Sequence, residues 1–384
     1  MNILLVSEEF PPETQFGGIS TYNADLTEML SATNNFVYVI CRSLGASYIR
    51  HKKNAVILRT STFWGCIEPL EKLLGWRLAV FFKVLWLIKR RKIDVIETPE
   101  WKADCFFVLL LKFLFPPVVV RLHGCRALIK SIDSSNLTFQ DRIVIAMERF
   151  ILKRANVISS ISEACLQKTE QLLKLDLRQK THVIPNFTKR TFLKKSNERR
   201  NKIVLFAGRV EEWKGVFNLA KAISILNKKN IDACYIFAGR DIRHKSGKNS
   251  SEICLEIIGT NGTNVKFLGQ ISREKLDRLF SQSCVTVLPS LFEPFGLCCI
   301  ESMKFGTPVI GSCRGGMSEI IVDGVNGYLI NPMDPVQIAE RIESILRNDN
   351  DWFSMSNSAL KTVEKKFFIE SVYQQYMDLY RSIV

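Results

Sequence analysis

Short β-rich runs, nearly all apolar, alternate with longer helical stretches along almost the whole chain, and this alternation restricts the fold more than any other property of the sequence. Ile3–Ser7, Phe36–Ile40, Ala55–Leu58, Asp94–Glu97, Val118–His123, Val157–Ser160 and His182–Pro185 read as strands, with helices between several of them. Strands that are apolar at consecutive positions must be covered on both faces. Helices on both sides of a parallel sheet supply that cover, so the pattern predicts a doubly wound α/β domain. It breaks after Pro185-Asn186, where Thr188 to Asn201 is dense in Lys, Arg, Ser and Asn and reads as a linker. The alternation then restarts with Lys202–Ala207, Cys234–Ala238, Val265–Leu268, Val285–Pro289 and Val309–Ser312. Two consecutive Rossmann-like domains are expected, 1–187 and 188–367, which a chain of 384 residues is long enough to build.

Composition narrows the class. An apolar fraction of 47% with 24% charged residues is ordinary for a globular protein. The best candidate for a spanning helix is interrupted by Lys83 and the next by Lys112 with Pro116 and Pro117, so a membrane-spanning segment is not expected. Met1 to Ser7 carries no basic flank and runs into Glu8, Glu9, Pro11 and Pro12, which reads as a strand and loop and points to the cytosol. The 11 cysteines are scattered, odd in number and free of any C-x-x-C pair, so they read as reduced, buried small side chains. With 53 basic against 38 acidic residues the net charge is +15, which favours polyanionic partners. No base-reading signature accompanies it, so phosphorylated small molecules and anionic lipids are expected ahead of nucleic acid.

Four loops carry candidate chemistry. Gly17-Gly18 follows the first strand and opens a helix, where backbone amides can approach an anion; an ordinary tight turn has the same look. It is not G-x-G-x-x-G, and Val39-Ile40-Cys41-Arg42 puts no acid at the end of the second strand, which disfavours a dinucleotide oxidoreductase. Arg209 and Lys214 share the loop after Lys202–Ala207, at the strand end where open α/β sheets bind ligands. Trp213 beside Lys214 has no role readable from the sequence. Pro289 to Glu301 is the strongest signal: Glu293 lies in a loop, Pro294 suits a helix start, and the amides of Phe295, Gly296 and Leu297 would form an anion site. Glu301 falls among Leu297, Ile300 and Met303, where a carboxylate needs partners, and sugar hydroxyls would supply them. His123-Gly124 closes the fifth strand, where a structural and a functional histidine are both reasonable.

Together, Gly17-Gly18, His123-Gly124, Arg209…Lys214-Gly215, the E-x7-E pattern of Glu293 and Glu301, and Gly315-Gly316 with Glu319 resemble the GT-B-fold retaining glycosyltransferases of family 4. That resemblance covers nearly the whole chain, and it implies a nucleotide-diphosphate sugar donor bound mainly by the second domain. Arg209 and Lys214 would neutralise the departing diphosphate, and Glu293 would hold donor-sugar hydroxyls. Glu301 would take the ribose hydroxyls, while the amides of Phe295 to Leu297 would meet sugar and phosphate oxygens. His123 would contact the transferred sugar, Gly17 and Gly18 would cap the phosphates, and Ile271 would lie near the base. It also implies front-face attack, a last helix (368–384) that crosses back to the first domain, and no cofactor. The one D-x-D, Asp349-Asn350-Asp351, lies away from every expected strand end, so no metal site is expected. Ala238-Gly239-Arg240-Asp241 departs from many relatives, with a polar, basic loop running on to Ser251.

The stretch 64–92 mixes Trp76, Phe81, Phe82 and Trp86 with Lys72, Arg77, Lys83 and the run Lys89-Arg90-Arg91-Lys92. Two readings stand: a helix lying in an anionic membrane interface, or one packed on the first sheet with a solvated basic end. The expectation is a cytosolic glycosyltransferase, peripheral on the inner face of the plasma membrane, that extends a glycan or lipid-linked acceptor. A sugar-nucleotide epimerase of the same fold, or a non-catalytic scaffold for membranes or polyanions, remains the alternative.

Overall fold

A computed structural model describes residues 1–14, 17–62, 71–133, 136–190, 201–259 and 264–384. Phe16 and residues 191–200 of the expected linker lie outside them. Two compact units result, Met1–Asn186 with Val372–Val384, and Phe187–Ser371.

The first unit holds an eight-stranded sheet in the order β3-β4-β2-β1-β5-β6-β7-β8. Its strands are β1 (Asn2–Val6), β2 (Phe36–Arg42), β3 (Tyr48–Lys52), β4 (Ala55–Thr60), β5 (Val95–Pro99), β6 (Val118–Leu122), β7 (Val157–Ser160) and β8 (Thr181–Val183). All neighbours are parallel except β3 and β4, which form an antiparallel hairpin. Sequence reading missed β3 because Tyr48-Ile49-Arg50-His51-Lys52 is exposed at every position and has no apolar run to reveal it. Its charges are what a sheet edge needs to resist pairing with another chain. β1, β5 and β6 are buried nearly throughout, as strands covered on both faces must be.

The second unit holds six parallel strands in the order β11-β10-β9-β12-β13-β14. These are β9 (Asn201–Ala207), β10 (Cys234–Ala238), β11 (Val265–Phe267), β12 (Ser283–Leu288), β13 (Val309–Ser312) and β14 (Gly327–Ile330). β14 was not expected, since Gly327-Tyr328-Leu329-Ile330 has no β-branched run. It pairs with β13 from Val309↔Gly327 to Ser312↔Ile330. Asp349 and Asp351 occupy the first turn of the helix Asp349–Lys366, where Asn348 caps the Asp351 amide. Acids there complement the helix dipole, which accounts for the D-x-D sequence structurally.

A buried polar knot holds the last helix, Ile369–Arg381, within the first unit through its segment beyond Val372. Arg121 on β6 is fully buried and donates to Ser159 Oγ at 2.5 Å, Ile184 O at 2.9 Å and Asn186 Oδ1 at 3.0 Å. Its guanidinium carbon lies 4.5 Å from the Tyr22 ring and 5.1 Å from that of Tyr376. Burial alone would weaken its hold on the proton, but Tyr22, Tyr376 and Glu97 outweigh that and keep it charged. Glu97 on β5 accepts from Tyr22 Oη and Tyr380 Oη, each at 2.6 Å. Val372, Tyr376, Leu379 and Tyr380 form the buried face of the helix. Tyr380→Phe removes one donor from a buried carboxyl group and should lower unfolding free energy by about 1–3 kcal/mol in urea titrations. An unchanged midpoint would contradict the latch.

Candidate active site

The most concentrated chemistry of the second unit gathers at the carboxyl ends of β9 and β12. β9 ends at Ala207, and Gly208 and Val210 then pair with the end of β10 through Gly208 N–Ala238 O at 3.0 Å and Val210 N–Arg240 O at 2.9 Å. Glu212–Lys214 makes one 3-10 turn before Gly215, which caps the helix Val216–Lys228 at φ 75°. A Cβ at Gly215 would fall 1.9 Å from Pro289 O, so this loop is pressed against the end of β12, and only glycine tolerates both the backbone and the space. That contact brings Lys214 Nζ to 2.7 Å from Glu293 Oε2, with both side chains largely buried. Ser290 Oγ also donates to Glu293 Oε2, at 3.3 Å.

Trp213, unexplained by sequence, acquires a role here. Its ring centroid lies 4.2 Å from Lys214 Nζ and 5.3 Å from the Arg209 guanidinium carbon, so one indole steadies two cations. Arg209 Nε also meets Glu211 Oε1 at 2.9 Å. The Glu293 backbone is fixed in turn: its amide donates to Arg314 O at 3.1 Å and its carbonyl accepts from Gly316 N at 2.7 Å. Gly315 and Gly316 thus form the wall beside Glu293, at the start of the short turn Gly316–Glu319, whose Glu319 is exposed.

The helix after Glu293 starts later than expected. It spans Leu297–Met303, not Pro294 onward, because Gly296 at the N-cap adopts φ 103°, which a helical residue cannot hold. Phe295 is buried with its ring 6.0 Å from Phe367, and the amides at the start of the helix lie in its unpaired first turn. Glu301 is only 5% exposed, and its first partner is a side chain that the sequence did not reveal. Arg273 NH1 meets Glu301 Oε1 at 2.5 Å, while Arg273 Nε meets Asp277 Oδ1 at 3.2 Å. Sugar hydroxyls are therefore not needed to satisfy Glu301. Arg273 stands two residues after Ile271, at the start of the helix Arg273–Gln282. The adjoining Ser272 N-cap was the available signal. Ile271 and Cys298 both pack against the small core of Leu205, Ala207, Ile236, Ala238, Phe280 and Phe305.

Cys298 connects the two ion pairs. Burial pushes its thiol up to about 12, with Glu301 and Glu293 raising it further and Lys214 and Arg273 opposing them. All four charged groups lie within electrostatic reach of that one sulfur. A thiol held protonated in this way is inert and serves as packing.

The remaining candidates belong to the first unit. Gly17 caps the helix Gly18–Ser31 and is exposed with Gly18; a Cβ at Gly17 would have no atom within 4 Å. His123 follows β6, and its amide donates to both Glu100 oxygens at 2.7 and 2.9 Å, with Gly124 N at 2.6 Å from Oε1. Glu100, directly after β5, was missed, although an acid at a strand end is a visible signal. The His123 ring meets Tyr22 edge-on at 4.9 Å, and its buried Nε2 has no hydrogen-bond partner. Burial, then the Arg121 charge, holds His123 well below the ordinary imidazole range. Among the described residues no cluster of His, Cys, Asp and Glu is suited to a metal ion.

Two measurements check this geometry. In an NMR titration of the four histidines the His123 ring should stay neutral through about pH 6.5. Because the native imidazole resists a proton that the unfolded chain accepts, His123 should cost stability as pH falls below about 6.5. A His123 inflection near 6.5 would overturn this. In a double-mutant cycle, Arg273→Ala should cost about 1–3 kcal/mol, and much less once Glu301→Gln is present. Additive losses would mean that the pair is not formed.

Comparisons with known proteins bear on the fold and the family. Residues 188–362 match the family model "Glycosyl transferases group 1", and residues 16–190 match "Glycosyltransferase Family 4". An uncharacterized glycosyltransferase of Methanocaldococcus jannaschii is 25% identical over 99% of this chain and 98% of its own length. A sucrose-phosphate synthase from Thermosynechococcus elongatus superposes with TM-score 0.80 at 23% identity, over 99% of this chain and 98% of that one. Anabaena HepE, solved in complex with UDP-glucose, superposes with TM-score 0.75 at 19% identity over the full length of both chains. The fold is GT-B, and with the two family models spanning residues 16–362 the chain belongs to the group 1, family 4 glycosyltransferases.

Proposed function

We propose that the protein is a retaining glycosyltransferase that moves a sugar from a nucleoside-diphosphate sugar to a glycan or lipid-linked acceptor in cell-surface polysaccharide or glycolipid synthesis. The observation that carries this is the Lys214–Glu293 pair, joined across two strand-end loops beside Arg209 and the start of the Leu297–Met303 helix. Cations and a carboxylate so arranged suit the two ends of such a donor. Arg209 and Lys214 meet the diphosphate, and Glu293 accepts from sugar hydroxyls. Glu301, anchored by Arg273, keeps its place beside the ribose in this reading, with Ile271 near the base. The complex of HepE with UDP-glucose supports a uridine donor as the first to try.

In the reaction the anomeric carbon–phosphate oxygen bond breaks while the acceptor oxygen bonds to the same face of the carbon. The leaving phosphate oxygen takes the acceptor's proton. Negative charge grows on the diphosphate, where Arg209, Lys214 and the amides of Phe295 to Leu297 lower the barrier. Those fixed cations supply the positive charge that a metal provides elsewhere, so the reading is metal-independent. His123, neutral and with Nε2 unpaired, is suited to a sugar hydroxyl, and Gly17 and Gly18 leave room for phosphates. Work in the cytosol, on an acceptor reached at the membrane, completes the proposal.

Thermal-shift measurements with UDP, GDP and ADP, and with their sugar conjugates, test the donor reading. One nucleotide series should raise the melting temperature, equally with EDTA and with Mg²⁺. No shift with any nucleotide would remove the donor site. Lys214→Ala and Glu293→Gln should each reduce transfer by at least about 100-fold while the protein stays folded. Full activity in either variant would contradict the assignment.

A further inference from the structure

The first unit carries an exposed aromatic face that the sugar-transfer chemistry does not use. The helix Trp76–Ile88 buries Trp76, Ala79, Val80, Val84 and Leu87 and turns the opposite side outward. Residues 63–70, which include the first part of the stretch 64–92 singled out from sequence, lie outside the described residues. On the outward side Phe82 is 52% and Trp86 37% exposed. The short turn Lys112–Leu114, which sequence reading used only to exclude a spanning helix, adds Phe113 at 77% and Leu114 at 51%. The two patches are continuous. Phe81 packs its ring 5.3 Å from Phe82 and 5.7 Å from Phe115, the residue after Leu114.

Cations predominate on the rim of this face, where the one partly exposed acid of the segment, Asp94, stands 3.9 Å from Lys92 Nζ. Lys83 Nζ and the Arg90 guanidinium bracket the Trp86 ring at 5.0 and 4.5 Å, followed by exposed Arg91 and Lys92. On the far side Arg154 Nε donates to Leu109 O at 3.3 Å, and Lys180 lies near enough to Lys112 for their charges to repel. The acids between Trp76 and Pro117 are Asp94, Glu97, Glu100 and Asp104. Three of them are buried, and Asp94 accepts from the Asn2 amide at 2.8 Å. A protein partner would meet this rim only with a matching ring of acids around an apolar centre. An anionic bilayer offers both at once, phosphates outside and acyl chains beneath. No helix among the described residues is long and apolar enough to cross a membrane, so the geometry is that of a face lying on one.

We propose that this face docks on an anionic lipid bilayer, with Phe82, Trp86 and Phe113 entering the headgroup boundary and Lys83, Arg90 and Lys112 meeting lipid phosphates. The proposal makes concrete the membrane-reached acceptor and rests on that reading for its purpose, while its observations are separate from the donor site. Both components are needed: scattered cations alone give adsorption that salt removes, and exposed rings alone give no preference for anionic lipid.

Flotation of the full chain with vesicles tests it, using phosphatidylcholine alone and phosphatidylcholine mixed with phosphatidylglycerol. The wild-type protein should float with the mixed vesicles and leave the neutral ones. Arg90→Glu with Lys112→Glu should weaken binding by at least about ten-fold. Phe113→Ser with Leu114→Ser, at positions already in solvent, should keep the melting temperature and lose the binding that survives high salt. Absence of wild-type binding, equal binding to both vesicles, or an aromatic variant that binds like wild type overturns the proposal. UDP thermal shifts on the same variants separate the two readings. Loss of vesicle binding with UDP stabilisation intact leaves the donor site standing, and vesicle binding without any nucleotide shift leaves the surface without the transferase reading.

Discussion

A fully buried guanidinium dictates much of how the first unit is assembled. Arg121 sits on an interior strand that is otherwise wholly apolar, so its charge and donors must be met by whatever the chain can bring to that level of the sheet. Ser159 comes from β7 and two acceptors come from the segment after β8, while two tyrosine rings close over the flat faces. One of those rings belongs to residue 376, far along the chain. Removing the last helix would therefore expose more than a hydrophobic stripe. It would leave a buried cation and the Glu97 carboxyl group without part of their compensation, a larger penalty than lost apolar contact alone.

The second unit solves a related problem at its strand ends. Glu293 and Glu301 are both withdrawn from solvent, and each is held by a cation from another loop: Lys214 from after β9, Arg273 from after β11. The pairings fix two carboxylates and two cations before any ligand is present. Such preorganisation reduces what binding must spend on ordering side chains. It also sets a condition on any anionic ligand of Lys214, which must compete with Glu293 for one ammonium group. Trp213 lies against the same ammonium group, its ring centroid 4.2 Å from Lys214 Nζ.

Much of the fold was legible because its main strands are apolar at consecutive positions and their boundaries carry Gly, Pro or Asn. β3 and β14 escaped for opposite reasons. β3 is a polar edge strand with no buried face, and β14 is a short run whose pairing depends on Gly327 fitting under Val309. Candidate residues in the loops at strand ends, such as Arg209 and Glu293, were visible from position alone. Their partners were not: Arg273 and Glu100 become informative only when the topology sets them against Glu301 and His123. The late start of the Leu297 helix was hidden for a local reason, since Pro294 suits a first helical turn and only the left-handed backbone of Gly296 forbids it.

The helix Trp76–Ile88 illustrates how composition can leave two readings open, of which the structure shows the packed one. Its sequence is apolar on nearly every side, which by itself describes a helix buried all round. Packing on the sheet accounts for Ala79, Val80, Val84 and Leu87, but that face consumes only part of the apolar surface. Phe82 and Trp86 remain partly exposed, four residues apart and hence on one line of the helix. A soluble surface has no use for two exposed aromatics flanked by cations and extended by a phenylalanine–leucine turn from the next segment. The sheet-packed reading accounts for the inner face of the helix, and the apolar surplus on the outer face is what the interfacial proposal rests on.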